Sequence, residues 1–261
     1  MADACSTEGP EAYDIHSAPI MAPFVAALLD AVRPAPGASV LDLACGTGFA
    51  ARAAAALVGP TGRVRGTDLD EGMIRVARQR APRIDFTAAP ADRLPYDDSA
   101  FDAVVCQQGA QFFPDLTAAL TETARITRPG GRFAATVWAP LDRQPYFLAH
   151  EHALRTYAPD ALRYFHRAYV RTADQLTSAL RTAGYSALTH REVTSDVVLP
   201  PLGAYAHGHL AALWGGLLRE AGGEKAVLGA ARLVRDELAD RTAPDGTAAL
   251  PFTVHLVTGI R

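Results

Sequence analysis

The stretch "VLDLACGTGFAAR" at residues 40–52 constrains the fold more than any other part of the chain. An apolar run that contains a single acidic residue, Asp42, leads into two glycines, Gly46 and Gly48, and then into alanines. This order predicts a buried strand, a tight loop and a helix, the unit that opens a parallel sheet with helical connections. It raises two questions: which ligand the loop binds, and why a carboxylate lies in an apolar strand.

The alternation of short apolar runs and helical patterns continues from residue 38 onward, which predicts a parallel sheet covered on both faces. We predict strands at 39–44, 63–67, 84–87, 103–106 and 133–138, and helices at about 48–58, 71–80 and 115–126. Right-handed crossovers then bring the loops that follow the strands to one edge, where open α/β sheets bind ligands.

The chain after residue 171 predicts further elements. Thr172 has the features of an N-cap, with Gln175 three residues later, so a helix is predicted to begin there. Two strand-like runs follow, at 187–199 and at 250–261. We expect the last run to form a hairpin with its predecessor rather than to return to the sheet.

Three segments do not fit the alternating core, and they define the predicted domains. We predict an N-terminal helical lid at 1–35, which holds an apolar helix near 20–32, and a main domain at 36–261. The main domain carries insertions at about 139–171 and 202–248. Insertions on a ligand edge often form lids and substrate pockets, and stabilisation of the fold is the alternative function.

The charge and cysteine content limit the partners of this 261-residue chain. A formal net charge of -3 offers no basic field for a polyanion, so a small-molecule substrate is favoured over nucleic acid. Three cysteines without metal-type spacing, Cys5, Cys45 and Cys106, suit a reducing compartment, and we predict a cytoplasmic protein. The acidic start has no apolar targeting core, and we expect no membrane association. The sequence is also compatible with a homodimer.

The glycine loop by itself fits more than one nucleotide. The pattern Gly46-x-Gly48-x-x-Ala51 matches the dinucleotide fingerprint, and a plain tight turn is the alternative. Asp68, after the next predicted strand, is placed to accept hydrogen bonds from both hydroxyls of a ribose, unless it only caps the following helix. Asp42 would repel a pyrophosphate, but it suits a cationic ligand and can also brace the loop through backbone N–H groups.

Four motifs in order resemble one family. They are "VLDLACGTG", "GTDLDEGMIRVAR", "LPYDDSAFDAVVCQQGAQFFPD" and "RPGGRFAATVW". Their order and spacing over residues 39–138 resemble class I S-adenosylmethionine-dependent methyltransferases, in the small-molecule branch that includes the ubiquinone/menaquinone-biosynthesis type. The resemblance implies an α/β fold with a Rossmann-like, mostly parallel seven-stranded sheet, helices on both faces, an antiparallel last strand and helical lid insertions.

The resemblance also implies that S-adenosylmethionine is the cofactor and assigns residues to it. Together with Asp42, the implied cofactor contacts are Tyr13, Ala44, Gly46, Gly48, Asp68, Leu69, Met73, Ala91, Asp92, Cys106, Gln107 and Gln111. In this assignment Asp68 holds the ribose, Leu69 and Met73 pack against the adenine, and Gln107 lies near the methionine amine. The family has an acidic residue in front of its "LPF" stretch where this chain has Pro90, which leaves the adenine contacts to Ala91 and Asp92.

Methyl transfer from a sulfonium requires alignment and dehydration more than a protein nucleophile. A base can still assist, and among the histidines and tyrosines of the insertions we select His166 and Tyr169 as catalytic candidates. Gln108, Trp138 and Tyr164 are the predicted substrate-pocket residues. No metal is expected, because the pairs in "HEH" (150–152) and "HGH" (207–209) point to opposite faces when they lie on a helix.

The sequence therefore predicts methyl transfer from S-adenosylmethionine to a small, apolar or aromatic acceptor through oxygen, nitrogen or carbon. The composition favours a tailoring step in bacterial specialised metabolism. The alternative keeps the fold and the cofactor, but catalyses a non-methylating step such as cyclisation or dehydration.

Overall fold

The computed structural model describes residues 9–261, so Cys5 lies outside the described residues. The chain forms two compact units. Unit 1 contains the described part of Met1–Met21 together with Ala139–Tyr169 and Thr194–Thr253. Unit 2 contains Ala22–Trp138, Val170–Val193 and Val254–Arg261.

Seven strands form one sheet in the order β3-β2-β1-β4-β5-β7-β6. In chain order they are β1 Ser39–Leu43, β2 Arg63–Asp68, β3 Asp85–Ala88, β4 Phe101–Gln107, β5 Thr127–Trp138, β6 Ser186–Leu199 and β7 Ala248–Ile260. The pairs from β3 to β5 are parallel, whereas β7 runs antiparallel to β5. The predicted fold class, with a mostly parallel seven-stranded sheet and an antiparallel last strand, is confirmed.

Eight helices accompany the sheet in the described residues. They are α1 Gly9–Val32, α2 Phe49–Val58, α3 Glu71–Arg80, α4 Leu116–Ile126, α5 Pro145–Tyr157, α6 Leu162–Phe165, α7 Ala173–Thr182 and α8 Leu202–Glu237. The predicted N-cap of α7 is confirmed, since Thr172 and Gln175 form a reciprocal capping box. Helix α8 is kinked at Gly222 and Gly223, whose backbone angles are not helical.

The core of unit 2 lies on both faces of the sheet. Successive residues of a strand point to opposite faces, so β1 sends Val40 into one apolar cluster and Leu41 into another. The first cluster packs against α2, α3 and the second half of α1, and the second packs against α4 and α7. The glycine loop after β1 is therefore held by a strand that is buried on both sides.

Two predictions about the strands need correction. Strand β5 begins at Thr127, not near residue 133, and a register shift in its pairing with β4 accommodates the "RPGG" segment. The second correction concerns the last strand, β7, for which we predict a hairpin with β6 rather than a return to the sheet. It lies between β5 and β6, so it pairs with its predecessor and also returns to the sheet. Insertion there satisfies the backbone groups on both sides of β7.

Helix α1 is long and apolar enough to cross a membrane by length and composition, and half of its most apolar window is buried within the fold. A buried core helix meets the same two criteria. Its second half belongs to the core of unit 2, where Leu28 and Val32 are almost completely buried.

Candidate functional site

The loop after β1 has a backbone shape that its glycines make possible. Ala44, Gly46 and Gly48 have φ angles of 55°, 53° and 86°, in the left-handed region. At Gly48, which precedes α2, a Cβ would also lie 3.0 Å from the ring of Phe86. The residue at this position is therefore restricted both by backbone conformation and by a close neighbour. The result is a compact turn that leads directly into the N-terminus of α2.

Asp42 braces this loop from within β1. Its side chain is 1% exposed, and Oδ2 accepts a hydrogen bond of 2.7 Å from the backbone N–H of Ala51 in the first turn of α2. Burial, assisted by the nearby Asp68, raises the pKa of Asp42 to about 7, against the opposing effect of the Ala51 hydrogen bond. A cation bound near this carboxyl would favour its ionised form.

Asp68 ties the ends of β1 and β2 together. One carboxylate oxygen accepts the N–H of Gly46 at 2.8 Å, and the other accepts the N–H of Asp70 at 2.9 Å. Helix α3 is capped by Asp70, which accepts the N–H of Met73, and not by Asp68. Each carboxylate oxygen keeps a second lone-pair site, so Asp68 can hold the loop and still accept a hydrogen bond from a ligand. Burial raises its pKa.

The loop after β4 packs against the glycine loop. A Cβ at Gly109 would overlap the Cβ of Ala44, so the two backbones approach closely. Between β4 and Gly109 the chain turns through Gln108, whose φ of 52° is unusual for a residue with a side chain. The side-chain amides of Gln108 and Gln111 are buried, and neither the nitrogen nor the oxygen of either amide has a hydrogen-bond partner.

These groups fit the predicted S-adenosylmethionine, although the sequence assigns Gln108 to the substrate pocket, a role that stays a prediction. A buried amide without a partner is costly, and it offers both a donor and an acceptor to a ligand. The methionine part of the cofactor carries an ammonium, which donates hydrogen bonds, and a carboxylate, which accepts them, beside the sulfonium. Asp42 and Asp68 supply negative charge beside the same loop, a combination that favours a cation over a pyrophosphate.

The other predicted cofactor residues of unit 2 are distributed around this edge. Leu69 is 72% exposed immediately after β2, and Met73 is half-buried in the first turn of α3. Ala91 is half-buried and Asp92 is exposed in the segment after β3. Gln107 is the half-buried last residue of β4. Their contacts with the cofactor stay predictions.

Cys106 and Trp138, two further predicted residues of unit 2, also have buried side chains. The thiol of Cys106 lies in the apolar cluster with α4 and α7, and burial raises its pKa to about 12, so it is neither a thiolate nor a nucleophile. Only the backbone of Cys106 is suited to a polar ligand contact. The indole of Trp138 packs edge-on against Phe24 at a centroid distance of 5.9 Å.

The catalytic candidates lie in unit 1. His166 is exposed and bonds to Glu151 at 3.2 Å, and Glu151 also pairs with Arg155. Tyr169 packs against Phe165, and burial raises its pKa well above the usual range, which makes it a weaker acid.

Two other predicted residues also lie in unit 1. Tyr164 is exposed with the guanidinium of Arg163 over its ring, and Tyr13 is half-buried in the first half of α1. A role for any of these four residues in the reaction stays a prediction.

The two His-x-His pairs do lie on helices, α5 and α8, and their members point to opposite faces as predicted. His152 bonds to Glu237 and His207 approaches Glu224, whereas the other member of each pair is buried. The two buried rings, His150 and His209, meet at a centroid distance of 5.3 Å. The sequence does not distinguish these two histidines from the others, because only the packing of α5 against α8 brings them together.

Comparison with known proteins identifies relatives of the chain. A family model described as a methyltransferase domain matches residues 40–131, which include both loops of the site. A demethylmenaquinone methyltransferase of Clavibacter sepedonicus is 34% identical over 201 residues, which cover 70% of this chain and 79% of the relative.

Two solved structures share the fold at low sequence identity. A phosphoethanolamine N-methyltransferase of Haemonchus contortus, in complex with phosphomonomethylethanolamine and S-adenosylhomocysteine, has a TM-score of 0.62 at 16% identity. The match covers 97% of this chain and 56% of that one. The [4+2]-cyclase SpnF has a TM-score of 0.55 at 22% identity, with 91% and 80% covered. The architecture alone is thus compatible with more than one reaction.

Proposed function

Because the chain belongs to the class I S-adenosylmethionine-dependent methyltransferases, we propose that it methylates a small, apolar or aromatic metabolite with a quinol-like ring. The buried, unpartnered amides of Gln108 and Gln111 carry this proposal, since they lie on the loop that packs against the glycine loop. Support for a ring acceptor comes from the relative named for demethylmenaquinone. We place the reaction among tailoring steps of bacterial specialised metabolism.

The residues of unit 2 can perform three tasks in such a reaction. The left-handed turn at Gly46 and Gly48 lets the backbone approach a ligand closely, and the Asp42 hydrogen bond to α2 keeps that turn in place. Asp68 offers its free lone pairs to ribose hydroxyls. Gln108 and Gln111 offer donors and acceptors to the charged ends of an amino acid.

S-adenosylmethionine, when bound, supplies a methyl group on a sulfonium, which is transferred by in-line displacement. The protein contributes mainly by aligning the acceptor atom and excluding water. A hydroxyl or amine that is methylated loses its proton, and a neutral imidazole or a water molecule is a sufficient acceptor for that proton.

We also propose a cytoplasmic location, which is consistent with the free, buried thiols of Cys45 and Cys106.

The function is tested with S-adenosylmethionine carrying a labelled methyl group and a panel of hydroxylated one- and two-ring aromatics. We expect a product heavier by one methyl group and an equal amount of S-adenosylhomocysteine by mass spectrometry. Failure to release S-adenosylhomocysteine with any acceptor would contradict methyl transfer. A product of unchanged mass would instead favour the cyclisation or dehydration alternative.

A matched pair of variants links the activity to the site. Gln111→Leu removes a buried amide of the loop after β4, whereas Gln79→Leu makes the same change on the exposed face of α3. We expect Gln111→Leu to weaken S-adenosylhomocysteine binding by about tenfold, as the loss of one charge-assisted hydrogen bond would. Gln79→Leu should bind as the wild type does. Equal affinities for the two variants would remove Gln111 from the site.

A further inference from the structure

Strand β6 forms one edge of the sheet, and the cofactor loops do not include it. It pairs with β7 on one side, and no other strand of the described residues pairs with its outer side. That side therefore presents a row of backbone N–H and C=O groups. The strand at the opposite edge, β3, has 4 residues, whereas β6 has 14. An edge of this length is a template for pairing with another chain.

Natural proteins often block such an edge, and β6 has few of the usual blocking features. Its sequence, SALTHREVTSDVVL, contains no proline, glycine or lysine, and five of its residues are the valines and threonines that strands favour. The stretch 189–192 is exposed to solvent, and Val198 is 65% exposed. What remains at the edge is a pattern of charges, which decides the partners that the edge accepts.

The part of β6 that is suited to pairing is limited at both ends. Ala187 has a φ of 46°, which is outside the extended region. Pro200, directly after the strand, has no N–H to donate. Regular extended backbone therefore runs over 188–199, and Val193 lies in the middle of this segment.

Two copies of β6 can pair antiparallel around a two-fold axis only in certain registers. The axis is perpendicular to the sheet, so residues that face each other lie on the same side of it, and one residue faces its own copy. With Val193 on the axis, the facing pairs are 190 with 196, 191 with 195, 192 with 194, 189 with 197 and 188 with 198.

The charges of β6 favour this register over its neighbours. It brings His190 opposite Asp196, which is exposed and has no ion-pair partner among the described residues. The imidazole uses Nε2 for His255, at 3.0 Å, and can donate from Nδ1 to the carboxylate. Registers centred on 191 or 192 would bring Arg191 or Glu192 opposite its own copy, and one centred on 194 would bring Glu192 opposite Asp196. Like charges on facing residues destabilise a strand pair.

We propose that β6 is the interface of a homodimer, in which two copies of the chain join their sheets edge to edge with Val193 on the two-fold axis. A second copy is the partner because the strand is complementary to itself, in charge through His190 and Asp196 and in apolar contact where Leu188 covers the exposed Val198. The proposal does not depend on the proposed function, since it involves no residue of the cofactor loops.

The first test measures association by sedimentation velocity on the full chain over a series of concentrations. We expect a dimer that dissociates on dilution. Asp196→Lys should weaken it by about tenfold, because the symmetry changes two facing pairs at once and each contributes a few-fold. Adding His190→Glu to that variant restores opposite charges and should restore the dimer. Asp97→Lys, at an exposed carboxylate outside the interface, should associate as the wild type does.

The second test locates the two-fold axis by cross-linking under mild oxidation. Facing residues of an antiparallel pair have Cα atoms about 4.5–5.5 Å apart, which is within the range of a disulfide. Val193→Cys should therefore form a disulfide with its own copy. Ser195→Cys, on the same face, should not, because its two copies would lie about 13 Å apart along the strands. The wild type, with its own cysteines, gives the background.

The inference is overturned if the chain is monomeric at every concentration, or if Asp196→Lys associates as strongly as the wild type. A monomeric chain that pairs through β6 with a strand of a different protein would also contradict a second copy as the partner. The register is wrong if the double variant stays as weak as Asp196→Lys, or if the two cysteine variants cross-link equally. Circular dichroism should show that all variants are folded, since the charged positions are exposed.

Discussion

Replacement of Asp42 by asparagine should change how the stability of the protein depends on pH. The carboxyl has an ordinary pKa of 3.8, and burial raises it to about 7 in the folded chain. Each pKa unit corresponds to about 1.4 kcal/mol, so keeping Asp42 ionised in the fold costs about 4 kcal/mol above pH 7. As the pH rises from about 4 to about 7, the unfolded chain loses this proton first, and the native state becomes progressively less stable.

The asparagine side chain of the variant would carry no such pH dependence. Its amide oxygen can still accept the N–H of Ala51, the bond that holds α2 in the wild type at 2.7 Å. The difference in the free energy of unfolding between Asp42→Asn and the wild type should therefore shift in favour of the variant. We expect this shift to be about 2–3 kcal/mol between about pH 5 and about pH 8.

The assay is urea denaturation of both proteins without cofactor, at several pH values across that interval. Asp97→Asn, at an exposed carboxylate, serves as the control and should follow the wild type at every pH. A stability difference between Asp42→Asn and the wild type that stays constant with pH would refute the reasoning. It would mean that the carboxyl ionises in the fold as readily as in the unfolded chain.

Three further expectations concern binding and packing. Asp68→Ala should weaken cofactor binding by about 2 kcal/mol through the loss of charge-assisted hydrogen bonds, and unchanged affinity by calorimetry would remove Asp68 from the site. The affinity for S-adenosylmethionine should rise with pH through about 7, because the bound cation favours ionised Asp42, and Asp42→Asn should show a flatter profile. Gly208→Ala should destabilise the chain by about 1–3 kcal/mol in thermal unfolding, because the new Cβ would overlap the ring of His16. Gly216→Ala, in open space on the same helix, should instead stabilise the chain by about 0.5–1 kcal/mol. Equal effects of the two glycine changes would contradict the packing argument.

The parts of the fold that follow from local patterns are the parts that the sequence predicts well. The glycine loop, the Thr172 capping box and the first four strands each depend on residues a few positions apart. The place of β7 depends instead on pairings such as Thr136 with Leu256, which join distant segments. A strand-like run looks the same whether it lies at the edge of a sheet or between two strands, so its place had to come from the structure.

Some residues of interest can likewise be recognised from the sequence, and others only from the structure. Asp42 and Asp68 stand out in the sequence because a carboxylate in or after a buried strand is unusual. The structure adds the backbone N–H groups from which these carboxylates accept hydrogen bonds. The sequence does not distinguish His150 from His152. Both lie on one short helix, and only the side that packs against α8 decides which of them is buried.

Polar groups that are buried without partners occur in both units of the chain. Gln108 and Gln111 in unit 2, and His150 in unit 1, each have polar atoms that forgo hydrogen bonds with water and gain none from the described protein. Each group makes the folded state less stable than an apolar residue of similar shape would. We expect a bound ligand to offset this cost where it supplies the missing hydrogen-bond partner. The amides of Gln108 and Gln111 fit the charged groups of the proposed amino-acid cofactor in this way, because they offer both donors and acceptors.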